Sequence, residues 1–151
     1  MPWQAEPVRR GWTMAKRPGW RLIALCGLYF TQGLPYGFMF ITLAAVLAGD
    51  GRSPDAIAGL LAIATLPWAF KWIFGPIIDR FGMPSMGRRR PWILLAQSGM
   101  VLALLTLAFG PDPLTHDGYL AWGLFFMSAC SALQDVSVDA LAVDLLREEE
   151  R

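Results

Sequence analysis

Charge is scarce in this sequence, and ligand-type side chains are scarcer still. Aspartate, glutamate, lysine and arginine together make up 17% of the 151 residues, against 55% hydrophobic, and the formal net charge is only +1. That leaves no global basic field to hold nucleic acid. The single histidine, His116, sits alone in a loop, and the two cysteines, Cys26 and Cys130, fall inside apolar runs. Each cysteine reads as a small packing residue rather than half of a disulfide framework. With no metal-ligand cluster, no nucleophile paired with a base and no phosphate-binding glycine loop, the sequence carries no enzyme signature and implies no cofactor.

What it has instead is apolar residues gathered into four runs, the pattern of an all-α integral membrane protein with four transmembrane helices. Residues 1–21 collect Arg9, Arg10, Lys16, Arg17 and Arg21 among Pro2, Pro7 and Pro18, and read as a solvated tail, with Trp12 and Trp20 suited to the headgroup level. The first span is expected over 22–48. Its apolar run, Leu22 to Leu47, is about 39 Å long as helix, beyond a hydrocarbon core of about 30 Å, so it needs tilt or a bend. Pro35, between Gly33 and Gly37, supplies the bend. Basic residues before the run suggest a cleaved signal, but the run is too long and three more follow.

Ser53 as N-cap and Pro54 at the first helical position start the second span, expected over 56–78. A loop over 79–91 follows, and Pro91 opens the third span, 92–109, which Gly110-Pro111-Asp112-Pro113 ends. The fourth run begins at Tyr119 and stays apolar only to Leu133, about 22 Å, too short to cross. Its helix must therefore extend over 119–146, which carries Asp135 and Asp139 into or to the edge of the hydrocarbon.

Several polar residues stand out against this background. Tyr29, Gln32 and Tyr36 fall on one helical stripe, either an ordinary packing face or one wall of a polar cavity. Lys71 is the only charge in the second span, roughly 12 Å inward from Asp79. Either it snorkels, or it faces an anion, whether a solute group or a carboxylate on a neighbouring helix. Asp135 and Asp139, four apart, share a face that must look into protein or water, with Gln134 beside it, whereas Asp144 points to the opposite side. For Asp139 an ion pair with the loop arginines is expected, and for Asp135 a proton relay or solute contact. Basic residues crowd the tail, the 79–91 loop and the C-terminal end, and only Arg52 lies on the other side, so both termini are expected in the cytoplasm.

Gly75-Pro76-Ile77-Ile78-Asp79-Arg80-Phe81-Gly82, followed by Gly87-Arg88-Arg89-Arg90 between the second and third spans, resembles the signature loop of the major facilitator superfamily. Gly33-Leu34-Pro35, Phe70-Lys71-Trp72, Gly87 to Trp92, and Gln134-Asp135-Val136 with Asp139-Ala140 narrow the resemblance to the AmpG-type branch of muropeptide permeases and acetyl-CoA transporters. The resemblance implies secondary transport by alternating access, with protons driving uptake of muropeptide-like solutes across a bacterial inner membrane. It also implies a cytoplasmic latch in which Gly75, Asp79, Arg80, Arg88, Arg89 and Arg90 meet Asp139 or Asp144. Tyr29, Gln32, Tyr36, Lys71, Gln134 and Asp135 would face the solute. Members of that superfamily have roughly a dozen spans built from repeats. Four spans would then be a partial carrier whose partners are the lipid bilayer, a small solute, protons and further helices. The alternative is a self-contained four-helix protein that dimerises as a small exporter or an assembly subunit.

Overall fold

A computed structural model describes residues 18–82 and 86–145, all helix and short connection. Residues 1–17 of the expected tail, with Trp12, and the polar run from Arg147 to Arg151 lie outside the described residues, as does the middle of the 79–91 loop; Pro18 to Arg21, expected as tail, instead form the first turn of α1, where a proline is tolerated. The order is α1 (Pro18–Gly37), a π-helical stretch (Phe38–Leu43), α2 (Ala44–Gly49), α3 (Pro54–Ala69), a 3-10 turn (Lys71–Ile73), α4 (Phe74–Arg80), α5 (Arg90–Phe109) and α6 (Asp117–Leu145). These group into four helices long and apolar enough to cross a membrane: Gly19–Gly49, Pro54–Arg80, Arg90–Phe109 and Asp117–Asp144. The protein is an integral membrane protein.

The first span, which Pro35 between Gly33 and Gly37 was expected to bend, is not interrupted at that proline. It stays α-helical to Gly37 and widens one turn later. Pro35 has no N–H to give the Thr31 carbonyl, yet the α-helix runs through it. The widening serves packing. Pro35, Met39, Leu43 and Leu47 are all buried at four-residue steps. In a pure α-helix such a row would drift about 120° around the axis, and the wider turns cancel much of that drift.

The second span was expected as one helix and is broken instead. It stops at Phe70, tightens over Lys71–Ile73 and resumes as α4. The break lies between Pro67 and Pro76: each removes a backbone donor, and the Pro76 ring presses on the carbonyl of Trp72. Ser53 caps α3 by accepting from the Ala56 N–H, as its position before Pro54 predicts.

Helix α6 is the post around which the rest is arranged. Of its most apolar stretch 56% is buried, against 17–28% for the other three spans. It packs against α1, α3, α4 and α5, whereas α1 and α5 scarcely meet. The closest approach is to α5, where a Cβ on Gly99 would lie 2.5 Å from the Cys130 sulfur and one on Gly123 would lie 2.6 Å from a Leu107 methyl. Small residues let membrane helices touch in this way. Gly99→Ala is therefore expected to destabilise the protein by roughly 1–3 kcal/mol through overpacking. Cys130→Ala in the same chain should recover most of that loss in a detergent unfolding series; no recovery would show that the contact is not the cause.

Candidate site between the first, second and fourth spans

Asp135 lies in the C-terminal half of α6 and is only 9% exposed. Both of its carboxylate oxygens are held: Gln32 Nε2 on α1 donates to Oδ1 at 2.6 Å, and Lys71 Nζ donates to Oδ2 at 2.9 Å. Three separate spans therefore converge on one carboxylate. The Lys71 side chain is 44% exposed and that of Asp135 12%, so the cation is half open and the anion faces the interior. Of the two fates open to Lys71 in the sequence, the structure takes the carboxylate on a neighbouring helix. The 3-10 turn makes this reach possible, because it re-aims Lys71 out of the straight helical register.

Around this pair stand the other residues of the stripe. Tyr29 donates its hydroxyl to Asp139 Oδ1. That contact replaces the expected ion pair between Asp139 and the loop arginines. The reason is geometric: Asp139 shares the α6 face of Asp135 and so points at α1, away from the loop. Gln134 is fully buried, and its Nε2 donates to the Leu28 carbonyl at 3.0 Å. In this structure it ties α6 to α1 rather than lining an opening. Tyr36 is half exposed, leans on Phe40 with ring centroids 4.5 Å apart, and meets Trp68 edge-on at 6.5 Å. The Lys71 ammonium in turn lies 5.3 Å from the centre of the Trp68 ring. Sequence reasoning missed Trp68, although its place three residues before Lys71 in a helical run puts the two on one face. The buried Gln32 Oε1, Gln134 Oε1 and Trp68 Nε1 have no hydrogen-bond partner among the described residues.

A second cluster closes the end of the bundle that carries the 79–91 loop. Arg89 bonds Asp79 through Nη1 at 2.5 Å and Asp144 through Nε at 3.2 Å, joining the ends of α4, α5 and α6. Burial works against the Arg89 charge, but the bonds to Asp79 and Asp144 outweigh it and hold the guanidinium above its ordinary value. Of the expected latch residues, Arg89, Asp79 and Asp144 come together. Arg80 instead lies 6.0 Å from the Phe81 ring, and Arg88 and Arg90 make no ion pair with a described residue. Gly75 sits half-buried in α4 with nothing within 4 Å of where a Cβ would lie.

At the opposite end Arg52, which the sequence marked only as a lone basic residue, bridges the two remaining loops. Its guanidinium contacts Asp117 at 2.5 Å and also donates to the Leu114 carbonyl. No group of three or more histidine, cysteine or acidic side chains able to hold a metal occurs among the described residues.

Residues 21–151 match the family model described as acetyl-coenzyme A transporter 1. Over 124 residues the chain is 32% identical to the anhydromuropeptide permease of Escherichia coli (strain K12), an alignment that covers 82% of this chain and 25% of that protein. Over 165 aligned residues it is 30% identical to an uncharacterized membrane protein of Saccharomyces cerevisiae, covering 95% of this chain and 30% of the yeast protein. The chain thus spans only about a quarter of the length of the bacterial permease and under a third of the yeast protein. No solved structure matches significantly.

Proposed function

Because this chain belongs to the acetyl-coenzyme A transporter 1 family, we propose that its four helices form part of a secondary carrier in a bacterial inner membrane, taking up muropeptide-like anionic solutes together with protons. The observation that carries this reading is the Lys71–Asp135 pair, buried on its anionic side and open on its cationic side. A paired lysine and carboxylate leave the empty site neutral. When a proton neutralises Asp135, the ammonium is released to take a solute anion, and the loaded site is neutral again. Proton and anion therefore enter together, because either one alone would leave an uncompensated charge inside the membrane, at a cost of several kcal/mol. Tyr29 and Asp139, one turn along α6, extend the polar path toward the end that bears Arg89.

In this reading the Arg89 cluster is the inner latch of an alternating-access cycle, with both termini in the cytoplasm. Charge-assisted hydrogen bonds of this kind hold one state and yield to modest shifts in packing. The test is uptake of a radiolabelled anhydromuropeptide into proteoliposomes that hold these helices within a complete carrier, driven by an imposed pH gradient. Asp135→Asn keeps the bond to Gln32 but cannot titrate, and should cut proton-driven uptake at least tenfold at unchanged expression. Uptake at the wild-type rate would remove Asp135 from the coupling.

A further inference from the structure

Resting on that carrier reading, we infer that Tyr36 and Trp68 form a stacking platform beside Lys71, so that the site selects an anion carrying a ring over a simple anion. Trp68 lies one turn before Lys71 on the second span, with the ammonium 5.3 Å from its ring centre. From the first span Tyr36 meets Trp68 edge-on at 76°, and Phe40 backs Tyr36 from behind. These rings meet where α1 and α3 otherwise stand apart, since each of those helices packs chiefly on α6. Tyr36 is 51% exposed and its hydroxyl makes no hydrogen bond to a described residue, while the Trp68 indole N–H is buried without a partner among the described residues.

Two aromatic surfaces and the open Tyr36 hydroxyl, next to a half-open ammonium, make a composite receptor. The flat C–H face of a sugar or heterocycle gains dispersion and quadrupole contact with the rings. A carboxylate or phosphate on a short arm from that ring reaches Lys71, and the Tyr36 hydroxyl serves its ether, hydroxyl or amide oxygens. A bare anion would use Lys71 alone and forgo the rest. The ring also shields the ammonium from water once it is seated, which strengthens the charge contact. Trp68 and Tyr36 are in this sense positioning residues for the solute.

Three small probes separate the parts, with binding to the full chain in lipid nanodiscs measured by calorimetry. N-acetylmuramic acid has ring and carboxylate, N-acetylglucosamine has the same ring without that carboxylate, and lactate has the carboxylate without the ring. The first should bind at least tenfold more tightly than either of the others. Trp68→Leu and Tyr36→Leu should each weaken it about tenfold while leaving lactate unchanged, and Trp68→Phe, which keeps a ring, should restore most of the affinity. Lys71→Gln should weaken both acids and spare N-acetylglucosamine. Equal binding of lactate and N-acetylmuramic acid, or leucine variants without effect at unchanged helical circular dichroism, would overturn the platform and leave the Lys71 reading standing. Failure of all three probes on the wild-type chain would overturn the platform and the solute site together.

Discussion

Lys71→Met is expected to destabilise the protein by about 2–3 kcal/mol, and Lys71→Met combined with Asp135→Asn should be closer to wild type than the single variant. Removing one member of a buried pair strands the other charge, which typically costs about 3–5 kcal/mol. The lower value applies here because Lys71 is nearly half exposed, so that water screens part of the interaction. Methionine matches the lysine stem in length and would be the better residue if the ammonium only snorkelled to the interface. The sign of the change therefore separates the two situations. Reversible unfolding in mixed micelles supplies the measurement. A stabilised Lys71→Met variant would mean that the 2.9 Å contact to Asp135 contributes nothing and that the second span carries its charge for other reasons.

Apolar periodicity holds along the spans and fails at their polar and proline-bearing turns. The four spans were legible because each is a run of apolar residues bounded by a turn or cap, and Ser53, Pro54 and Pro91 fall where such residues belong. The meeting of Gln32, Asp135 and Lys71 was half legible. Each residue announces itself as a polar group in apolar surroundings, but which three helices turn toward one another is a tertiary matter. The break at Phe70–Ile73 was not legible, because Pro67 and Pro76 are compatible with a kinked helix as well as an interrupted one. That break is what allows Lys71 to reach Asp135. Asp139 was assigned to the loop arginines from its distance along the chain, while its face on α6, shared with Asp135, decided for Tyr29. Trp68 and the bridging contacts of Arg52 were not legible for opposite reasons: a tryptophan in a span looks like lipid contact, and a single arginine in a short loop looks like solvated charge.

Arg89→Gln should have the largest effect of any substitution at the loop end, and Arg88→Gln and Arg90→Gln should have little. Of these three arginines, Arg89 is the one that joins two described carboxylates on different helices, Asp79 at the end of α4 and Asp144 near the end of α6. Glutamine keeps one donor group but loses the charge and the fork that allows both bonds at once. Two charge-assisted bonds at a partly buried site correspond to roughly 2–4 kcal/mol, less screening. The consequence reaches beyond the loop because α4 is a rod of seven residues fastened to α6 near both ends. Lys71, just before it, holds Asp135, and Asp79, near its far end, is held through Arg89 to Asp144. Ile78, fully buried, seats the rod between these ties. Loosening one end should therefore weaken the other, with the 70–73 turn as the flexible joint. A double-mutant cycle between Arg89→Gln and Lys71→Met measures this directly. A coupling of about 0.5 kcal/mol or more is expected although the two residues are not in contact, whereas strict additivity would mean that the two clusters act independently.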